Sequence, residues 1–189
     1  MARPTVKLDD IERAAIKLFA SRGIGHVTIK DIAREAQCAE GALYCHYTGK
    51  DDLASTLFIR EVSKFGSRLK TVLCGPGSFD DRVRRGVGTF YAYFDDDPVA
   101  FSFVLLSQHN FPDGVDVDPE VNPVSLLIRF VEEGTKAGAF VTADPLFKAS
   151  MVLGLVLQPA TMMATGRLDG SMEQRADEVT KACLGVLHS

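Results

Sequence analysis

The sequence predicts an all-α protein with about nine helices. Apolar residues recur at three- and four-residue spacing along most of the chain, and helix-capping residues precede these stretches. The one alternating segment, around Val115–Asp118, is flanked by prolines and a glycine that argue against a strand. With 189 residues, 46% of them apolar, the chain can bury the core of one large or two small domains. We expect a three-helix head over residues 1–50 and a helical body over residues 51–189.

The first helix is predicted to begin at Asp9, with Glu12 as its capping-box partner, and to end at Gly23. Its apolar face consists of Ile11, Ala14, Ala15, Leu18 and Phe19. A second, short helix begins after Thr28, an N-cap residue with Asp31 three positions on. A third runs from about Glu40 to His46. Two short helices joined by about three residues have the dimensions of a helix-turn-helix over residues 28–47.

The body reads as six further helices. A long helix over residues 51–72 ends at the glycine-rich segment 74–78, and Ser78 caps the next one. Asp97-Pro98, Asn122-Pro123 and Asp144-Pro145 each place proline at a helix start, which predicts helices over residues 98–107, 123–137 and 145–164. Ser171 with Gln174 is read as the capping box of a last helix over residues 172–187. Pro159 should kink or end the helix that contains it.

Charge is divided unevenly along the chain. Residues 1–50 carry a net charge of +2, whereas the remainder carries −6. A mildly basic head on an acidic body suits a protein that contacts a polyanion with one end.

Other classes of site find little support. The four cysteines lie far apart without a CxxC pair, so we expect neither a disulfide framework nor a zinc site, and no cofactor. No signal peptide follows Met1, and the apolar stretch Ala149–Thr165 is interrupted at Gln158-Pro159 and judged too short to span a bilayer. We therefore expect a cytoplasmic protein without a membrane partner.

One segment carries a specific motif. It reads TIKDIAREAQCAEGALYCHYTGKDDL over residues 28–53 and follows AIKLFASRG over residues 15–23. This quarter of the chain resembles the DNA-binding signature of the TetR (tetracycline-repressor) family. The resemblance implies a homodimeric regulator that binds double-stranded operator DNA through the head and a small-molecule effector through the body. It is expected to be a repressor that a hydrophobic effector releases from DNA.

The turn departs from the family pattern, which usually has Gly-Val-Ser where this chain has Gln37-Cys38-Ala39. A glutamine at positive φ costs roughly 1 kcal/mol. Ala39 lacks the capping hydroxyl, which costs about 1 kcal/mol more. Both changes bear on the geometry of the turn.

The resemblance also implies which residues contact DNA. Phosphate contacts are expected from Thr28, Lys30, Tyr44, His46 and Lys50, although Tyr44 and His46 can alternatively pack between helices. Bases are expected to be read by the third helix. Its groove-facing residues are Glu40, Gly41, Ala42 and Cys45. A redox role for Cys38 or Cys45 is the less favoured alternative, because no resolving pair or activating cluster is evident.

Aromatic and methionine residues of the body are candidate walls of an effector pocket, with ordinary core packing as the alternative. They are Phe90, Tyr93, Phe94, Phe101, Phe103, Phe130, Met151, Leu155 and Met162, with Gln108, His109 and Gln158 as polar anchors. The last two helices are expected to form the dimer surface. Its residues are Ala149, Val152, Leu153, Val156, Val179, Ala182, Val186 and Leu187.

Two other functions compete with a DNA-binding regulator. An enzyme is disfavoured, because the chain has no nucleophile elbow, HExxH motif or phosphate-binding loop. A helical ligand-binding protein with a weakened head is the stronger rival, since the turn departs from the pattern. The sequence does not distinguish a repressor from an activator.

Overall fold

The computed structural model describes residues 8–107 and 115–189. Within these residues it contains nine α-helices, two short 3₁₀ segments and no strand, which confirms the all-α prediction. The helices are α1 (Leu8–Arg22), α2 (Ile29–Glu35), α3 (Glu40–Tyr44), α4 (Lys50–Leu73), α5 (Phe79–Asp96), α6 (Pro98–Ser107), α7 (Pro123–Lys136), α8 (Pro145–Ala164) and α9 (Ala176–His188).

The predicted proline starts define three of these helices. Pro98, Pro123 and Pro145 are the first residues of α6, α7 and α8. The Asn122 side chain accepts hydrogen bonds from the amides of Val124 and Ser125, which caps α7. These amides would otherwise lack partners at the helix start, so a local side chain stabilises the start of α7 where the sequence predicts it.

Two predicted capping boxes are wrong. Glu12 does not cap α1; its side chain is buried and bonds to Tyr47 and Arg60. Ser171 does not cap the last helix with Gln174; its hydroxyl donates to Asp95 at 2.6 Å, and a 3₁₀ turn over Glu173–Arg175 precedes α9. In both cases a tertiary partner replaces the local one.

Two compact units share α4, whose residues up to Glu61 belong to unit 1 and whose residues from Val62 belong to unit 2. Unit 1 contains α1 to α3, the first half of α4, and α6 from Val99 onward. Phe103 is completely buried there, with its ring 5.8 Å from that of Phe19 and 6.4 Å from that of Phe58. The functional division at residue 50 is a separate question and stays a prediction.

Unit 2 contains the second half of α4 with α5 and α7 to α9. Helix α9 packs against α5 and α8, and α7 packs against α8. Buried Lys148 of α8 donates to the backbone carbonyls of Val186 at 2.8 Å and Ser189 at 2.9 Å. Its ammonium group therefore binds the negative end of the α9 dipole.

Pro159 lies inside α8, which continues past it to Ala164. Proline lacks an amide hydrogen and leaves the carbonyl four residues earlier without its helical partner. One turn away, the carbonyl of Val156 accepts a hydrogen bond at 3.2 Å from the buried hydroxyl of Tyr91 on α5. This bond ties α5 to α8 next to the proline, although the carbonyl that Pro159 leaves without a helical donor is that of Leu155.

Helix α8 is more apolar than we expected. A window of 18 of its 20 residues has a mean hydropathy of 1.4, so by length and composition alone the helix can cross a membrane, contrary to the expectation that its apolar stretch is too short. Only 28% of that stretch is buried within the subunit. One face of α8 is therefore apolar and uncovered.

Candidate nucleic-acid interface

The start of α2 is fixed by a capping box at Thr28, as predicted. The Thr28 hydroxyl donates to the Asp31 carboxylate at 2.6 Å and accepts from the Asp31 amide at 3.2 Å. The hydrogen bonds from Thr28 hold the pKa of Asp31 below its ordinary value, so this carboxylate is ionised. Since the hydroxyl proton and the Asp31 amide are already engaged, the backbone amides of Ile29 and Lys30 are the donors of the first turn left for a phosphate.

The turn between α2 and α3 has the strained geometry that its sequence predicts. Gln37 adopts a φ of 55°, the left-handed conformation that side chains other than glycine rarely adopt. Ala39 occupies the N-cap position of α3 and makes no side-chain cap. The amide of Cys38 donates to the carbonyl of Ala33 at 2.9 Å and closes the turn despite these costs.

Helix α3 is anchored by one residue and exposes the rest. Leu43 is buried, with 1% of its surface exposed, whereas Tyr44 is 57% exposed. His46, which follows the helix, is also exposed. Neither Tyr44 nor His46 packs between helices, so the alternative structural role for these two side chains does not hold in this structure.

The four residues expected to face bases occupy the same short helix and its end. Glu40, Gly41 and Cys45 are exposed and Ala42 is half-buried. The Cys45 thiol lies 3.3 Å from the carbonyl oxygen of Gly41. A Cβ atom added to Gly41 would meet no atom within 4 Å, so packing within the subunit does not require glycine there.

Two lysines expected at phosphates differ in their surroundings. Lys30, in the first turn of α2, is exposed. Lys50, the first residue of α4, is half-buried and donates to the carbonyl of Ile24 at 2.9 Å. An ammonium group has three donors, so Lys50 keeps two for another acceptor while its position is fixed.

Sequence reasoning missed a buried polar network in unit 1. Glu12 accepts hydrogen bonds from the Tyr47 hydroxyl at 2.5 Å and from the Arg60 guanidinium at 2.6 Å. The signal was present: Glu12 is spaced three and seven residues before Ala15 and Phe19, on the apolar face of α1.

Comparison with known proteins identifies the head. Residues 11–57 match the family model described as bacterial regulatory proteins, tetR family. This match covers about a quarter of the chain and identifies the head as a DNA-binding domain of the TetR type. It supports a DNA-binding transcriptional regulator, and the matched residues run from α1 into the first turns of α4. No curated protein sequence matches the chain.

Solved structures share the TetR fold over nearly the whole chain. The fatty acid degradation regulator FadR from Bacillus halodurans superposes with a TM-score of 0.80 at 18% identity, covering 97% of both chains. FadR from Bacillus subtilis, in complex with stearoyl-CoA, gives 0.78 at 16% identity, covering 96% of this chain and 100% of that one. A tetR-family regulatory protein from Rhodococcus RHA1 gives 0.81 at 18% identity, covering 95% and 96%. At such identities these likenesses establish the fold alone.

The residues expected to line an effector pocket fall into both units of the chain. Phe90, Tyr93, Phe94 and Phe130 are buried in unit 2, whereas Phe101 and Phe103 are buried in unit 1. The rings of Phe90 and Tyr93 lie 5.5 Å and 5.3 Å from that of Phe65. His109 and Gln108 lie outside the described residues.

Met151, Leu155 and Met162 are instead brought together on the surface of unit 2. They line an open apolar groove of about 580 Å³ along α8. Its other lining residues are Gly154, Gln158, Pro159, Leu168 and Val186. We expected these three residues in an internal pocket, but they belong to the uncovered face of α8.

Several residues named for the dimer surface are covered within the subunit. Ala149, Val152, Val156 and Leu187 are buried in unit 2. A side chain packed inside its own subunit cannot supply an exposed contact, so this part of the expected surface is corrected. Leu153, Val179 and Val186 are half-buried and Ala182 is exposed. The apolar face that α8 leaves open runs along the groove instead.

Proposed function

We propose that this protein binds a specific DNA sequence as a homodimer and represses transcription until a hydrophobic small molecule releases it. The observation that carries the proposal is the exposed face of α3: Leu43 anchors the helix, while Tyr44 and His46 face solvent within the segment that matches the family model. Exposed aromatic and imidazole groups at the end of a recognition helix suit contacts to backbone phosphates. A cytoplasmic location follows from this role.

Phosphate contacts in this proposal position the head on the duplex. The amides at the start of α2, held by the Thr28 capping box, donate to one phosphate, and Lys30 adds a positive charge beside them. Tyr44, His46 and Lys50 contact further phosphates around the end of α3. These contacts carry no sequence information.

Base recognition in this proposal comes from Glu40, Gly41, Ala42 and Cys45. The Glu40 carboxylate accepts from a cytosine amino group, and the Ala42 methyl contacts a thymine methyl. Gly41 has open space around it, which lets the backbone of α3 approach the base edges closely.

A second copy of the chain is the proposed occupant of the groove on α8. The groove is lined almost entirely by apolar side chains, and most of α8 is uncovered in one subunit. Burying such a surface against an identical one removes it from water. A dimer also supplies the two heads needed to bind two successive major grooves, which lie about 34 Å apart.

Effector release is proposed as a population shift. The dimer has one form whose two heads fit successive major grooves and another whose heads are wrongly spaced. A ligand that binds the second form more tightly than the first increases its population and lowers operator affinity. The aromatic interior of unit 2 supports an apolar ligand, and the similar B. subtilis structure contains stearoyl-CoA. Stearoyl-CoA is therefore the first compound to test.

A helical ligand-binding protein with a weakened head remains the second candidate. The strained Gln37 and the uncapped Ala39 are the observations that favour it, because each destabilises the turn that presents α3.

Selection from a random-sequence duplex library decides between the two. We expect the purified protein to enrich one sequence, with binding that falls steeply as salt rises. Tyr44→Ala should weaken binding to that duplex by roughly tenfold or more, and Lys30→Ala should reduce the salt slope by about one. Thr56→Ala, an exposed change on α4, serves as the control and should leave binding unchanged.

Enrichment of no sequence by a folded protein would favour the second candidate. Effector release is tested in a separate experiment. Stearoyl-CoA added to the protein–DNA complex should lower the affinity of the protein for the duplex. If stearoyl-CoA binds the protein and the DNA affinity stays constant, release by that compound is wrong.

A further inference from the structure

Glu12 is a charged residue in the core of unit 1, with 7% of its surface exposed. Both carboxylate oxygens are engaged: Oε1 accepts from the Tyr47 hydroxyl at 2.5 Å, and Oε2 accepts from the Arg60 guanidinium at 2.6 Å. Its two partners lie 35 and 48 residues further along the chain. One side chain of α1 is thus bonded to the exit of α3 and to α4.

The Tyr47 arm reaches the recognition helix through the backbone. The amides of His46 and Tyr47 both donate to the carbonyl of Leu43, at 3.0 Å and 2.9 Å. The segment from Leu43 to Tyr47 is therefore one hydrogen-bonded unit, and it carries the exposed side chains of Tyr44 and His46. A shift of Tyr47 moves both of these side chains.

The Arg60 arm reaches α4. Arg60 also lies 3.5 Å from the carboxylate of Glu61, which is buried as well. The guanidinium has five donors in a fixed planar arrangement, so its bond to Glu12 fixes direction as well as distance. The carboxylate of Glu12 consequently has one geometry that satisfies both partners.

Stability alone does not explain a buried charge at this place. Apolar residues of similar volume often replace a buried ion pair at no cost in stability, whereas its hydrogen bonds are directional. Burial, together with the hydrogen bond to Glu12 and the charge of Glu12, raises the pKa of the Tyr47 phenol, so it stays a donor at any physiological pH. The network therefore holds one arrangement of α1, the end of α3 and α4.

We propose that Glu12 is a positioning residue for DNA recognition: through Tyr47 it sets where Tyr44 and His46 stand relative to α4. This inference rests on the proposed function, since it assigns a role in operator binding. It differs from a stability role because misplaced phosphate contacts weaken specific binding more than non-specific binding, which depends mainly on net charge.

Tyr47→Phe is the decisive variant, because it removes one hydroxyl and keeps the buried ring. The full-length protein is titrated with the duplex that the wild type selects and with a random-sequence duplex of equal length. We expect affinity for the selected duplex to fall about tenfold. A hydrogen bond to a charged group stabilises the Leu43–Tyr47 segment by about that factor, and without it DNA binding has to order the segment. Affinity for the random duplex and the salt slope should stay the same.

Glu12→Gln tests the same network, and Glu35→Gln is its matched control. Glu35 carries the same charge in unit 1 and pairs with Lys17 on α1, but it is exposed and has no bond to the Leu43–Tyr47 segment. Both variants remove one negative charge from the head, so both should bind random DNA equally. Only Glu12→Gln should lose discrimination between the two duplexes.

Hydrogen exchange of the free protein supplies a readout that needs no DNA. Tyr47→Phe should speed exchange of the His46 and Tyr47 amides while leaving those of α9 unchanged. Wild-type discrimination in Tyr47→Phe overturns the inference even if its stability falls. If the wild type selects no duplex, the proposed function fails, and unchanged exchange at His46 and Tyr47 would separately refute the positional network.

Discussion

At the scale of single residues, Gln37 holds a conformation that glycine adopts at lower energy, in the turn that leads into the recognition helix. Gln37→Gly should raise the free energy of unfolding by up to about 1 kcal/mol, because relief of the left-handed strain exceeds the extra entropy of glycine in the unfolded chain. Urea unfolding followed by circular dichroism measures the change.

Ala36→Gly is the control for that prediction. Ala36 adopts an ordinary helical conformation with φ of −77°, so glycine there should destabilise the protein by about 0.5–1 kcal/mol. If Ala36→Gly and Gln37→Gly lower the free energy of unfolding equally, Gln37 is not strained in the way we infer. A gain in stability at Gln37 with weaker binding of the selected duplex would show that the glutamine side chain serves recognition.

Sequence predicted these residues to different extents. The positive φ of Gln37 and the missing cap at Ala39 follow from the motif, because both depend on neighbours within a few positions. The spacing of Asp9 and Glu12 predicts a local capping box, whereas the partners of Glu12 are far along the chain. A pattern of three-residue spacing cannot show whether a carboxylate bonds to its own helix or to another one.

At the scale of elements, Asp95 of α5 caps the start of the last helical segment from outside. Its carboxylate accepts from the Ser171 hydroxyl at 2.6 Å and from the amides of Met172 and Glu173 at 3.1 Å and 2.9 Å. Burial alone would raise the pKa of Asp95, but the hydrogen bonds from Ser171, Glu173 and Met172 outweigh it and hold the pKa below its ordinary value of 3.8.

Because the pKa of Asp95 is lower in the folded state than in the unfolded state, its contribution to the free energy of unfolding decreases as pH falls. The contribution is complete above the ordinary carboxyl range and is lost as pH falls through the folded value. Asp95→Asn should therefore cost about 1–2 kcal/mol at pH 7 and progressively less below about pH 4. Unfolding measured from pH 7 to pH 3 tests this.

Asp169→Asn provides the comparison for Asp95→Asn, since Asp169 is an exposed aspartate in the same unit. Its unfolding curve should coincide with that of the wild type at every pH. A cost of Asp95→Asn that is the same at pH 3 and pH 7 would show that charge plays no part in the cap.

Element boundaries were predictable where the stop and start signals are local. The Asp-Pro and Asn-Pro starts of α6, α7 and α8 need no knowledge of the fold. The start of the 3₁₀ turn before α9 was not predictable in this way, because its acceptor, Asp95, comes from 76 residues earlier in the chain than Ser171. The local sequence predicts a capping box between Ser171 and Gln174, but Ser171 donates to the distant Asp95 carboxylate instead.

At the scale of the whole molecule, Gly154 tests the proposed dimer. It is exposed, it lines the groove on α8, and a Cβ added to it would meet no atom of the same subunit within 4 Å. Gly154→Leu should leave the subunit folded and weaken dimerisation by roughly tenfold or more, because overpacking a helix contact costs about 1–3 kcal/mol. Sedimentation velocity over a range of concentrations measures the dissociation constant.

Thr56→Leu adds the same side chain to an exposed site on α4 and should leave the dissociation constant unchanged. Unaltered dimerisation of Gly154→Leu would exclude a second copy from the groove. A wild-type protein that stays monomeric at all concentrations would exclude the dimer altogether.

The face of α8 could not be assigned from sequence. Apolar residues surround most of this helix, so its periodicity does not separate side chains packed within the subunit from those left for a partner. The sequence pattern favours Ala149 and Val152 on the outer surface and Met151 and Leu155 in the interior, whereas the structure buries the first pair and places the second along the groove. Only the packing of α8 against α7 and α9 decides this.

Gly66 is a position at which this fold accepts no side chain. Its α-carbon faces the backbone of Val121 so closely that a Cβ atom would overlap the Val121 carbonyl group. A backbone carbonyl cannot rotate away as a side chain does, so all nineteen replacements meet the same obstacle, alanine included. In a library of variants, position 66 should be as intolerant as any in the core, while Gly41, free of neighbours, should vary with the DNA sequence that is bound.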